Sequence, residues 1–163
     1  MVVAPTSSKL SLQCEAIGTD TTTLRSLDWN RSRFDIEFGL RNGTTYNSFL
    51  VRGERTALID TSHAKFRDTW IPLLKEQIDP CDIDVLIVSH TEPDHSGLIG
   101  DLIDINPEIE IVGSKVALQF LKDQVHRPFQ SRAVKSGEEL DLGVSPDSGA
   151  QHRIEFLSAP NLH

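Results

Sequence analysis

The stretch Val85 to Leu102 reads VLIVSHTEPDHSGLIGDL and carries His90, Glu92, Asp94 and His95 in close succession behind an apolar run. Two imidazoles and two carboxylates are a donor set that suits iron, manganese or zinc, and a carboxylate can bridge two ions. The run 84–89 is continuous in apolar residues, as expected of a strand buried on both faces. The four donors therefore follow a strand's carboxyl end, where open α/β sheets present their ligand sites. Residues two apart in an extended or turning segment project to the same side, so His90, Glu92 and Asp94 are expected to converge. Pro93 keeps Glu92 out of the helical region, His95 adds a second imidazole, and Ser96-Gly97 opens a helix. A solvated loop ahead of a capped helix is the alternative, and the combination of composition, spacing and strand-end placement speaks against it.

The elements that must position this loop divide the chain in two. Segments 10–17, 21–28, 34–40, 44–52 and 56–62 are short, rich in β-branched and aromatic residues, and punctuated by Asn42-Gly43 and Gly53-Glu54; they predict a sheet of hairpins. From Lys65 the period changes. Phe66, Trp70, Leu73, Leu74 and Ile78 fall at helical spacing, with Pro72 predicting either a kink or a late helix start. Strand 84–89, helix 96–105, strand 108–114 and helix 115–125 follow, the last with Val116, Phe120 and Val125 inward. Segments 129–137 and 152–160 are predicted strands, and 143–151 has the composition of a hairpin connection.

Composition narrows the class. The chain has 163 residues, 38% hydrophobic and 25% charged, enough for one domain with a core. A formal net charge of −8 argues against nucleic acid and anionic membrane surfaces as partners. The two cysteines, Cys14 and Cys81, form no disulfide framework or CxxC pair, which fits a reducing, cytoplasmic setting. No apolar run approaches the roughly 20 residues that span a bilayer, so membrane insertion is not expected.

SHTEPDHSG after VLIVS, together with GTTYNSFLVRGERTALIDTS upstream, resembles the metallo-β-lactamase superfamily and specifically its flavodiiron branch, including the diflavin flavoproteins of oxygenic photosynthetic microbes. The hydrolases of the superfamily usually carry HxHxDH here, and flavodiiron proteins carry HxExDH, so Glu92 is the discriminating residue. An anionic carboxylate in place of a neutral imidazole also favours a redox-active iron pair on chemical grounds. The resemblance implies an α+β fold of αββα sandwich type, two Fe as a diiron centre, and O2 or NO as substrate. It also implies FMN as immediate electron source, fed by a flavin or NAD(P)H-derived donor, and a head-to-tail homodimer or related hetero-oligomer. It places His90 and Glu92 on one iron with His163 as a further ligand, and Asp94 and His95 on the other. It further implies that residues 1–163 are the N-terminal part of the metallo-β-lactamase-like diiron domain, truncated before a bridging carboxylate, a last histidine, the flavodoxin-like domain and a flavin reductase domain. The isolated chain is then expected to be inactive, with the sheet face that carries VLIVS lacking its opposing layer.

Two other readings stand beside this one. A zinc hydrolase of the same superfamily would use its metals to activate water, and an inactive structural fragment would do no chemistry. Asp60, ending TALID, is expected to serve either a turn or a ligand partner. His63, His126 and His152 have no ligand-type neighbours and are expected at surfaces or helix ends. Cys14 and Cys81 are expected as small core or loop residues, and Trp29 and Trp70 are expected to pack.

Overall fold

In the computed structural model, residues 10–34 and 38–159 are described. The N-terminal half is the predicted hairpin sheet. Strands β1 (Leu10–Gly18), β2 (Thr21–Asp28), β5 (Thr44–Arg52) and β6 (Thr56–Ile59) pair antiparallel in space, β2 between β1 and β5. The predicted strand 34–40 is instead a small hairpin, β3 (Arg33–Phe34) with β4 (Phe38–Gly39), a detour between β2 and β5; residues 35–37 of that prediction lie outside the described residues. Beyond β6 the sheet turns parallel. Strands β7 (Val85–Val88), β8 (Glu110–Gly113) and β9 (Gln130–Ala133) complete a seven-stranded sheet of order β1-β2-β5-β6-β7-β8-β9.

Helices fill the crossovers that parallel pairing requires. Helix α1 (Arg67–Gln77) follows a 3₁₀ turn at Ala64–Phe66, and Pro72 lies inside it rather than at a late start. Helices α2 (Pro93–Ser96) and α3 (Ile99–Ile105) replace the single predicted helix, and α4 (Lys115–Val125) matches its predicted bounds. Trp70 and Leu74 of α1, Leu98 to Ile103 around α3, and Leu118 and Leu121 of α4 bury one sheet face through Leu24, Leu50, Leu58, Leu86 and Ile111. Among the described residues no helix is long and apolar enough to cross a membrane.

The inward face of α4 differs from expectation. Ala117, Leu118 and Leu121 are buried, whereas Val116 is 64% and Phe120 54% exposed. Both sets have helical spacing, so periodicity offers two apolar stripes. The Ser114 side chain, accepting from Ala117 N at 3.1 Å directly after β8, sets the phase in which the helix starts.

The second sheet face is also covered, contrary to expectation. Strands β10 (Glu139–Val144) and β11 (Gln151–Glu155) form a separate two-stranded sheet. Leu140 and Leu142, with Ile154 and Phe156, pack on Ala57, Val85, Ile87 and Val112. Strand β10 was not foreseen: Glu139 and Asp141 are exposed and dilute its apolar signal, yet they alternate with buried Leu140 and Leu142. The layers are thus helix, sheet, sheet.

The two stripes of α4 should separate in denaturant unfolding. Leu121→Ala is expected to cost about 2–5 kcal/mol, and Phe120→Lys less than about 0.5 kcal/mol. Equal costs would mean that α4 docks through its other face.

Candidate metal-binding loop

Strand register brings the chemistry to one edge. The pairings Ile59↔Ile87 and Val88↔Gly113 put the ends of β6, β7 and β8 side by side, and Asp28↔Thr44, further along in the same direction than Phe49↔Ile59, puts the end of β2 and the start of β5 at the same end of the sheet. His90 leaves β7 at that edge. Glu92 is extended (φ −67°, ψ 148°) and Pro93 takes the first helical position, so α2 begins immediately. Of the extended or turning segment expected for the four donors, the structure shows the turning form. His90 and Glu92 precede the helix, Asp94 and His95 lie within it, and the turn makes two pairs. His90 Nδ1 is 3.4 Å from Glu92 Oε2, and His95 Nε2 is 3.9 Å from Asp94 Oδ2. The imidazole centroids are 3.9 Å apart, which joins the pairs. Among the described residues no three or more His, Cys, Asp and Glu side chains close into a metal-binding group. His163 lies outside the described residues.

Asp60 ties this loop to the sheet. Its backbone is left-handed (φ 58°), a conformation that Asp tolerates better than most side chains, and its amide bonds Ile87 O at 2.8 Å. One carboxylate oxygen then accepts from Ser89 N at 2.8 Å, and the other meets His95 Nδ1 at 2.9 Å. A carboxylate only accepts, so Nδ1 carries a proton, and in the neutral ring Nε2 keeps the lone pair. That is the arrangement by which a carboxylate orients a metal-binding histidine. The donor set and this orientation both fit a metal ion. Of the two roles expected for Asp60, the structure displays the turn and the carboxylate–histidine contact on which the other would rest.

The electrostatics separate the two imidazoles. Burial and the neighbouring His95 hold His90 below the ordinary histidine range, against the pull of Asp60, Glu92 and Asp94. Burial also pulls His95 down, but the hydrogen bond and charge of Asp60, with Asp94 and Glu92, outweigh it and raise His95. His90 thus keeps a neutral ring, as metal ligation requires. On its outer side the loop borders a polar cleft of about 490 Å³. There Arg67 pairs with Asp101 at 2.8 Å and Arg127 with Asp104, so the cleft's charges satisfy one another.

Of the remaining histidines, His63 and His126 stand at helix ends as expected, whereas His152 lies within β11 with its side chain only 14% exposed. The His63 side chain caps the 3₁₀ turn by accepting from Lys65 N, His126 ends α4, and His152 Nε2 meets Asp20 at 2.7 Å. Trp70 is fully buried with its Nε1 donating to Ser48 Oγ, but Trp29 is half exposed and reaches only Ser11 Oγ. A buried network was missed altogether. Asp28, 2% exposed, accepts from Tyr46 OH at 2.9 Å and from Lys65 Nζ, and Arg31 donates to the same Tyr46 oxygen at 3.0 Å. Its members are far apart in sequence and share no motif; the only local hint is an acidic residue ending an otherwise buried strand.

That network has a pH signature. Burial alone would raise Asp28, but Lys65 and Tyr46 hold it below the ordinary carboxylate range. A depressed carboxylate contributes its full stabilisation above about pH 4 and loses it as pH falls through the lower folded value. Asp28→Asn is expected to cost about 1–3 kcal/mol at pH 7 and to flatten the acid-side decline, as read by urea unfolding at pH 7 and pH 3. An unchanged acid slope would assign the decline to other carboxylates.

Comparison with known proteins agrees with this geometry. Residues 41–157 match the metallo-beta-lactamase superfamily. The chain is 57% identical over 159 residues to Diflavin flavoprotein A 1 of Synechocystis sp. (strain PCC 6803), covering 98% of this chain and 27% of that protein. It is 37% identical over 131 residues to flavo-diiron protein FprA2 of Clostridium acetobutylicum, covering 80% and 31%. Among solved structures, rubredoxin oxygen:oxidoreductase from Desulfovibrio gigas superposes with a TM-score of 0.74 at 32% identity, over 80% of this chain and 33% of that one. The metal-soaked Flv1 flavodiiron core from Synechocystis gives 0.76 at 29% identity, over 87% and 38%. The chain therefore spans between a quarter and two fifths of the length of these relatives. Fold and sequence converge: this chain belongs to the metallo-beta-lactamase superfamily, and the relatives it matches are flavodiiron and diflavin proteins.

Proposed function

We propose that this chain supplies the N-terminal ligand loop of a diiron centre in a flavodiiron-type oxidoreductase that reduces O2 to water, or NO in an alternative role. The observation that carries the reading is Glu92, placed 3.4 Å from His90 where a zinc hydrolase of the superfamily would present a second imidazole. Bound iron would supply one-electron redox chemistry and open positions for a diatomic gas. His90 and Glu92 would hold one ion together with His163, and Asp94 and His95 the other. Asp60 keeps the His95 proton on Nδ1, leaving Nε2 free to donate. The electrons would come from FMN, supplied in turn by a flavin or NAD(P)H-derived donor, with a head-to-tail dimer bringing flavin and metal together. The named relatives support this: one is a rubredoxin oxygen:oxidoreductase and others are diflavin or flavodiiron proteins. Both cysteines are free thiols, in keeping with a reducing cytoplasm.

The test is metal preference. Zn(II) outcompetes Fe(II) at most nitrogen and oxygen sites, so the informative quantity is how the ratio changes. In anaerobic competition between Fe(II) and Zn(II), Glu92→His is expected to move occupancy toward zinc by about tenfold, in the range by which changes around a metal site alter affinity. An unchanged ratio would leave Glu92 outside the coordination sphere and return the zinc hydrolase reading to the front.

A further inference from the structure

Thr61, next to Asp60, is fully buried and spends three hydrogen bonds on the ligand loop. Its amide donates to His95 O at 2.8 Å and its hydroxyl donates to the same oxygen at 2.7 Å. The hydroxyl oxygen then accepts from Leu98 N at 3.2 Å, at the step from α2 to α3. One carbonyl thus receives two donors from one residue, while the neighbouring Asp60 carboxylate takes the ring of the same histidine at 2.9 Å. Gly97 shows how close the two segments lie: a Cβ there would stand 2.4 Å from Pro93 O, 2.7 Å from Ala64 N and 2.8 Å from Ser62 O. Its backbone angle (φ −62°) is ordinary, so close approach rather than conformation requires the glycine. On the other side the clamping segment is pinned to β2, through Ser62 Oγ with Ser26 Oγ at 2.7 Å and through Lys65 with Asp28.

We propose that the Thr61 hydroxyl is a positioning group for His95: it fixes the histidine backbone while Asp60 fixes its ring, so that Nε2 has one location. The metal-binding consequence rests on the function proposed above, but the placement of the ring does not. A carboxylate alone leaves the ring free to swing with its backbone, and α2 has only four residues, too short to hold itself rigid. Displacement of a functional group by about 1 Å is enough to impair a site built on geometry.

The test uses ¹⁵N-labelled histidine rings in the metal-free protein, comparing wild type with Thr61→Val, which keeps shape and amide but loses the hydroxyl, and with Thr61→Ser, which restores it. Wild type and Thr61→Ser are expected to show a slowly exchanging Nδ1–H on His95, and Thr61→Val to lose it. The His152 ring, bonded to Asp20 in another part of the molecule, is expected to keep its signal in all three. Retention of the His95 signal in Thr61→Val, or loss in Thr61→Ser, overturns the proposal. Loss of the His152 signal as well would show the hydroxyl to hold the whole fold and equally overturns a local role. Fe(II) titration adds the functional readout: about 10- to 100-fold weaker binding in Thr61→Val, with Thr61→Ser near wild type. Wild type that binds no Fe(II) would sink the diiron reading while the ring signals still decide the clamp; equal affinity in all three would overturn the clamp's functional role.

Discussion

The carboxylate of Asp60 is the interaction on which the ligand loop depends. It is buried, and its two oxygens face different tasks, one taking the amide that follows β7 and the other a histidine ring in α2. Burying an anion is costly unless hydrogen bonds replace its hydration, and here each oxygen has such a donor. The left-handed backbone at Asp60 turns the side chain back over the strand end. Strand β6 therefore holds the loop that leaves β7, and the parallel pairing between them, Ile59↔Ile87, is what brings residues so distant in sequence into contact.

A concentration of buried acid at one sheet edge needs compensation. Asp28, Asp60 and Asp94 are all buried there. Asp28 is neutralised within the protein by Lys65, with Tyr46 and Arg31 in the same network, and Asp60 is matched by His95. Asp94 and the half-exposed Glu92 lie beside the two imidazoles. The acids used for holding the fold thus have partners of their own, a lysine for Asp28 and an imidazole N–H for Asp60, and those facing the loop form a hard, anionic donor set of the kind that favours a bound cation.

Much of this was legible in the sequence. The bounds of β2, β5 and α4 follow from turn residues and periodicity, and VLIVS is indeed a strand covered on both faces. The candidate metal-binding loop stands out in the sequence because its four possible donors are neighbours in the chain. What escaped has a physical pattern. Periodicity could not choose between the stripes Val116/Phe120 and Ala117/Leu118/Leu121 of α4, because both are apolar. Thr61 looked like any strand-end threonine, since its partner lies 34 positions away and only tertiary register reveals it. Asp28, Tyr46 and Lys65 are likewise joined only when β2, β5 and the 3₁₀ turn meet.

The change from antiparallel to parallel pairing at β6 also orders events in time. The meander β1, β2, β5 and β6 closes through two tight turns and the β3/β4 detour, and is complete when the chain has been made only as far as residue 59, whereas each later strand must wait for a helical crossover. During synthesis from the N-terminus, the hairpin half can form and present Asp60 and Thr61 before the HTEPDH loop has emerged. The loop is then received by a template already in place, and the nascent chain never has to hold His90, Glu92, Asp94 and His95 together by their own mutual contacts.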